Sequence, residues 1–130
     1  GAQLLKGGRR LDAFYYPTML TDVRPGMPVF DEEVFGPVAP FIIFDKIEDA
    51  IELANMSKYG LGVTICTNNL KEAEKIIPFI DDGAVFINEL VKSDPRLPFG
   101  GTKRSGYGRE LSINGIHEFV NVKTVYIKEL

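Results

Sequence analysis

Side chains able to support chemistry fall in a few short stretches. In Glu32-Glu33-Val34-Phe35-Gly36-Pro37-Val38, acidic residues stand just before an aromatic in a segment punctuated by glycine and proline. A carboxylate such as Glu33 accepts hydrogen bonds from two ribose hydroxyls, and a neighbouring aromatic such as Phe35 packs against a flat heterocycle like nicotinamide. Taken alone, the stretch reads equally as a loop with solvated acids. The glycine-rich run Pro98-Phe99-Gly100-Gly101-Thr102-Lys103-Arg104-Ser105-Gly106-Tyr107-Gly108-Arg109-Glu110 invites a phosphate-binding reading. It fails on spacing: the pattern G-x-x-x-x-G-K-[ST] is absent, and Gly106-Tyr107-Gly108 lacks both a third glycine and a preceding strand. Its glycines are better suited to positive φ and close backbone approach, leaving Phe99 to project from a tight loop.

Cys66 is the only cysteine and His117 the only histidine. An internal disulfide is therefore impossible, and no metal site is expected, because zinc favours sets of Cys and His ligands. Cys66 lies in the strand-like run Val63-Thr64-Ile65-Cys66-Thr67, with no adjacent histidine or helix start to lower its pKa. It is expected to be an inert packing residue rather than a nucleophile. His117 beside Glu118 reads as a surface residue of a short helix.

The elements that must position these groups are read from periodicity. Residues 38–44 form an apolar run suited to a buried strand, with Pro37 and Pro40 pushing its start toward Phe41. Asp45 and Glu48 have capping-box spacing ahead of Ile47, Ala50, Ile51 and Ala54, which predicts a helix closing near Tyr59-Gly60. A second strand is predicted over residues 61–67. Asn69 and Glu72 repeat the capping pattern before a helix that Pro78 cannot continue, and residues 84–87 form a third strand after the Asp81-Asp82-Gly83 turn.

The predicted order is β-α-β-α-β, so the fold class is α/β with a parallel core and right-handed crossovers. Around it, residues 14–18 are a possible strand, residues 21–37 an extended loop, and residues 109–119 a short helix interrupted at Asn114-Gly115. Residues 122–127 alternate as a final strand that needs a neighbour.

Bulk properties exclude several function classes. A hydrophobic content of 45% over 130 residues supports one globular unit, and 18 acids against 15 bases give a net charge of −3. No nucleic-acid or membrane partner is expected from that balance, and no apolar run approaches the roughly 20 residues that span a bilayer. A soluble, cytoplasmic protein is expected.

Taken together, four segments resemble the C-terminal quarter of the NAD(P)-dependent aldehyde dehydrogenase superfamily, in the same order and at similar spacing. They are Glu33-Val34-Phe35-Gly36-Pro37-Val38, Asn55 through Tyr59-Gly60-Leu61, the Pro98 to Glu110 run, and Val122-Lys123-Thr124-Val125. The match covers almost the whole chain. Asn88-Glu89-Leu90-Val91-Lys92-Ser93-Asp94-Pro95-Arg96-Leu97 further resembles the substrate loop of succinate-semialdehyde dehydrogenases.

The resemblance implies aldehyde oxidation by a cysteine thiolate, hydride transfer to NAD or NADP, and hydrolysis of the thioester by glutamate-activated water. It implies that Glu33 holds the nicotinamide ribose, that Phe35 packs near the nicotinamide, and that Phe99 lines the mouth of the aldehyde tunnel. Ser93 and Arg96 would hydrogen-bond a distal carboxylate of the substrate, although Arg96 could equally pair with Asp94 or face solvent.

No catalytic residue is assigned within the chain. The family's nucleophile, general base, oxyanion asparagine and Rossmann-like domain correspond to sequence upstream, so residues 1–130 are expected to be a single partial domain, inactive alone and without tightly bound cofactor. Residues 122–127 would serve as a homo-oligomerisation strand. The rival reading is a stand-alone, non-catalytic α/β module that binds a nucleotide or a protein.

Overall fold

The computed structural model describes residues 1–130, which divide into two compact units, Gly1–Lys58 and Tyr59–Leu130. The first begins with β1 (Gln3–Lys6), the two-residue strands β2 (Arg10–Leu11) and β3 (Phe14–Tyr15), and β4 (Thr18–Thr21). It continues through α1 (Pro28–Asp31), β5 (Val38–Pro40) and α2 (Ile47–Asn55). β2 and β3 form a small antiparallel hairpin, while β1, β4 and β5 make a three-stranded mixed sheet with β4 in the centre. β4 runs antiparallel to β1 and parallel to β5, with Thr18 opposite Val38 and Leu20 opposite Pro40.

The buried hydroxyl of Thr18 donates to the Tyr16 carbonyl and accepts from the Gly8 N–H, both at 2.8 Å, fixing the turn into β4. Gly7 at φ +86° passes so close to the Pro17 carbonyl that a side chain there would collide with it.

The strand predicted around Phe41 is displaced. Its hydrogen bonding ends at Pro40, and residues 41–44 carry no strand. β5 is an edge strand, where a proline costs no ladder bond, so Pro40 closes the strand rather than preceding it. Its partner is β4, which joins it to the first unit's sheet and not to a continuous three-stranded parallel core.

Helix α2 forms but starts one residue later than its capping pattern implied and ends at Asn55, short of the expected Tyr59-Gly60, which instead form a two-residue strand. Lys46 occupies the cap without a side-chain bond, and Glu48 and Asp49 in the first turn provide the favourable charge at the helix's positive end.

The second unit contains β6 (Tyr59–Gly60), β7 (Val63–Ile65), α3 (Leu70–Ile76), β8 (Val85–Ile87), β9 (Thr102–Lys103) and α4 (Ser112–His117). β7 and β8 pair in parallel, Val63 with Val85 and Ile65 with Ile87, and α3 makes the crossover. The Asn69 side chain accepts from the Glu72 N–H at 3.2 Å, as the capping pattern predicts. Pro78 ends α3 within a 3-10 turn at Ile77–Phe79. Helix α4 runs through Asn114-Gly115 without the expected interruption. Residues 121–130 adopt no regular structure and are exposed, with no partner strand alongside.

The architecture is therefore mixed α/β, with parallel and antiparallel sheets. No helix is long and apolar enough to cross a membrane. Few side chains are fully covered: Val23 and Ala73 are the only buried hydrophobics, and β7 and β8 are half-buried rather than enclosed on both faces. The accessible area is 10563 Å². A compact monomer of this mass exposes about 6,900 Å², and two separate compact units of the same total mass about 8,300 Å².

Candidate functional site

Glu33 and Phe35 lie in the first unit, between α1 and β5. Pro28 starts α1 with its fixed φ, and the Glu32 N–H closes that single turn on the Pro28 carbonyl at 2.9 Å. Two three-residue turns follow, Gly36 N–H to the Val34 carbonyl at 3.0 Å and Val38 N–H to the Gly36 carbonyl at 2.8 Å. A bond from Thr18 N–H to the Pro37 carbonyl ties the end of the segment to β4. The consequence is an outward-facing ring: Phe35 is 92% exposed, and Glu33 beside it is also exposed.

Covering such a ring is worth about 1.5–3 kcal/mol, so it is a strong anchor for any flat apolar surface. An acceptor-only carboxylate two residues away suits vicinal hydroxyls.

Ser93, Arg96 and Phe99 lie in the second unit, in the excursion that leaves β8. Asn88, at φ 56°, turns the chain. Its side-chain amide both accepts from the Thr67 N–H and donates to the Thr67 carbonyl at 2.8 Å, joining the exits of β7 and β8. Thr64 Oγ1 donates to the Glu89 carbonyl at 2.9 Å. The Glu89 carboxylate accepts from Lys92 Nζ at 2.8 Å and from the Leu90 N–H at 3.0 Å. The Lys92 bond, then the Leu90 bond, hold its carboxyl below the ordinary range. At the far end, Phe99 and Glu110 exchange backbone hydrogen bonds of 2.9 and 2.8 Å, closing the glycine-rich loop at its base.

A cleft of about 400 Å³ opens beside this loop, with Phe86, Lys92, Asp94, Leu97 and Phe99 among its walls. Phe99 thus lines a recess whose walls are both apolar and charged. Ser93 and Arg96 do not form the wall. Arg96 is instead held at the rim by Asp94, its Nε at 2.9 Å and Nη2 at 2.6 Å from the carboxylate oxygens. Of the alternatives the sequence left open for Arg96, pairing with Asp94 is the one adopted.

Lys92, Asp94 and Leu97 fall in the stretch that resembles a substrate loop, but the sequence assigned none of them to the wall. The Asp94-Pro95 step, which favours a turn and brings Arg96 back onto the carboxylate, was the available signal.

Cys66 corrects its expectation. β7 ends at Ile65, so Cys66 sits where the chain leaves the sheet and is an exposed free thiol rather than a packed one. His117 is exposed in the last turn of α4, as expected. The loop at residues 100–108 contains the two residues of β9 and does not run from a strand directly into a helix N-terminus. The expectation that no strand precedes Gly106 is thus corrected by β9, while the next helix begins only at Ser112.

Comparison with known proteins bears on the whole chain. Residues 1–125 match the model of the aldehyde dehydrogenase family. A probable NADP-dependent succinate-semialdehyde dehydrogenase of Synechocystis sp. is 53% identical over 98% of the chain, and a succinate-semialdehyde dehydrogenase [NADP(+)] of Mycobacterium leprae is 51% identical over the same share. The chain covers 29% and 28% of these two relatives, so it spans less than a third of their length.

Among solved structures, succinic semialdehyde dehydrogenase from Streptococcus pyogenes in complex with NADP+ superposes with a TM-score of 0.91 at 43% identity, over 99% of this chain and 29% of that one. An aldehyde dehydrogenase of Mycobacterium tuberculosis complexed with NAD+ gives 0.84 at 41%, over 92% and 26%. The ordered motifs, the backbone and the match over nearly every residue agree, and the chain belongs to the aldehyde dehydrogenase family.

Proposed function

We propose that these residues are the part of an aldehyde dehydrogenase that grips the nicotinamide ribose and walls the aldehyde channel, in an enzyme oxidising succinate semialdehyde to the acid with NADP. The observation that carries the reading is the recess walled by Phe99, with a guanidinium held at its rim by a wall residue. Relatives at about half identity named as NADP-dependent succinate-semialdehyde dehydrogenases support both the substrate and the cofactor.

The cofactor supplies the hydride acceptor. Glu33 accepts hydrogen bonds from the ribose hydroxyls, and Phe35 limits where the ring can sit, which restricts the reacting atoms to productive distances. Phe99, Leu97 and Phe86 keep water from the aldehyde carbon and orient the alkyl chain. Arg96 exchanges its bond with Asp94 for the distal carboxylate of the substrate, assisted by the Ser93 hydroxyl. The guanidinium is largely exposed at the rim, so the exchange needs no buried group to move.

None of these side chains makes or breaks the substrate's bonds. Neither Cys66 nor His117 is assigned as nucleophile or base, so the 130 residues alone carry no turnover.

The test is kinetic. The full polypeptide carrying these residues is assayed for NADP reduction with succinate semialdehyde and with an uncharged aldehyde of similar length, alongside the 130-residue chain. Preferential use of the semialdehyde by the full polypeptide, and none by the short chain, is the expected result. Equal use of both aldehydes would overturn the substrate assignment, and turnover by the short chain would overturn the division of roles.

A further inference from the structure

The loop that bears Phe99 is closed by its own backbone pair with Glu110, but that pair does not fix its position on the second unit. β6 and β9 pair antiparallel, Tyr59 opposite Lys103 and Gly60 opposite Thr102. Lys103 Nζ lies 3.8 Å from the Asp81 carboxylate, and side-chain bonds add to this ladder around Gly60. The Gly60 N–H donates to Ser105 Oγ at 3.0 Å. Its carbonyl accepts from the Gly83 N–H at 3.0 Å and lies 3.2 Å from Thr102 Oγ1. The Thr102 hydroxyl also donates to the Asp81 carbonyl at 2.6 Å. Ser105 N–H, in turn, bonds the Thr102 carbonyl at 3.0 Å, so the two clamping side chains are held in one turn. Thr102 has a single hydroxyl proton, whose short bond is to the Asp81 carbonyl with the Gly60 carbonyl beside it, while the Gly60 N–H and carbonyl are bonded to Ser105 and Gly83.

Close approach makes the clamp stiff. Gly60 and Gly101 are buried, and a side chain at Gly60 would strike Thr102 Oγ1. Gly83 lies so near the Gly100 carbonyl that no side chain fits between them. Gly83 and Phe99 also share the wall of the same cleft. A displacement of Thr102 therefore moves the loop against Gly83 and changes the recess in which Phe99 stands.

We infer that Thr102 and Ser105 are positioning residues that clamp the Phe99 loop around Gly60 and so set the width of the aldehyde recess. This rests on the proposed function insofar as Phe99 meets the aldehyde. Thr102→Val keeps the shape of the side chain but removes the hydroxyl proton that bonds the Asp81 carbonyl beside Gly60. In the full polypeptide it raises the aldehyde KM roughly fivefold to tenfold, with kcat and the dinucleotide KM changed less than about twofold, because hydrogen bonding and not the chemical step is lost. Ser105→Ala moves the same parameter in the same direction by less.

Thr102→Ser, which retains the hydroxyl, restores the parental aldehyde KM. A purely structural role would move cofactor and aldehyde constants together and would not be rescued by serine.

A second arm is independent of activity. Trypsin cleavage after the exposed Arg104 is faster in Thr102→Val than in the parent by a similar factor, and returns to the parental rate in Thr102→Ser. If the parent oxidises no aldehyde, the functional reading fails and the clamp is decided by proteolysis alone. Parental cleavage in Thr102→Val, a parental aldehyde KM, or a dinucleotide KM that rises in step with it would each overturn the inference.

Discussion

Asp94 binds Arg96 through three hydrogen bonds, accepting from the Arg96 backbone N–H at 2.9 Å, from Nε at 2.9 Å and from Nη2 at 2.6 Å. The side-chain bonds, followed by the backbone bond, hold the Asp94 carboxyl far below its ordinary value of 3.8. A depressed acid stabilises the folded form above that ordinary value and loses the contribution as pH falls through the depressed one. The carboxyl carbon of Asp94, followed by NMR on acidification, should therefore stay ionised where free aspartates take up protons. Titration near 3.8 would mean that the clasp is absent in solution.

The same clasp predicts opposite effects from its two ends. In the full polypeptide, Arg96→Ala should lower kcat/KM for a carboxylate-bearing semialdehyde about tenfold relative to a simple aldehyde, the scale of one lost charge-assisted bond. Asp94→Asn, which releases the guanidinium, should lower the semialdehyde KM, and Ser93→Ala should cause a smaller version of the Arg96 loss. Equal losses on both aldehydes would assign the loop a packing role.

On the cofactor side, Glu33→Gln and Phe35→Ala should each raise the dinucleotide KM several-fold while leaving aldehyde KM near the parental value. Phe35 carries the larger share, since about 1.5–3 kcal/mol of ring burial is at stake. Loss of aldehyde affinity alone in both variants would refute the assignment.

Asn69→Ala removes the one side-chain cap of α3, the crossover between β7 and β8. It should cost about 1 kcal/mol of stability in a denaturant titration. A variant as stable as the parent would show that Thr67 or solvent replaces the cap.

The alternating residues 122–127 are proposed to pair with a strand of another copy. Deleting residues 121–130 should then reduce the oligomeric mass of the full polypeptide by light scattering. An unchanged mass would contradict the pairing.

What could be read from the sequence depended on how local its cause was. Helix α3 was legible because Asn69 reaches only to Glu72, and β7 and β8 because each apolar run is bounded by its own turn. The strand near Phe41 was misplaced because apolarity alone does not select a partner. Val38 pairs with Thr18, and that choice is made across the sheet.

β1 escaped notice because its leucines, Leu4 and Leu5, are adjacent and both exposed, so they make no alternating pattern. At the candidate site, the types and order of Glu33, Phe35 and Phe99 were visible from the motifs, and the pairing of Arg96 with Asp94 was one of the alternatives left open. The bonds from Thr102 and Ser105 to Gly60 were not, because they cross more than forty residues and use types that are commonplace in loops.

The unusually large accessible area has a consequence for how this stretch tolerates change. Where almost no side chain is enclosed, polar replacements at Ile43 or Val122 stay mostly in water in the chain by itself, and its own stability barely registers them. A mutational scan of these 130 residues in isolation would be nearly flat, apart from positions such as Thr18, Val23, Gly60, Ala73, Gly83 and Gly101, where neighbouring atoms leave no room. The same scan in a polypeptide that covers those apolar residues would acquire new intolerant positions. The difference between the two landscapes would map the covered surface, one residue at a time.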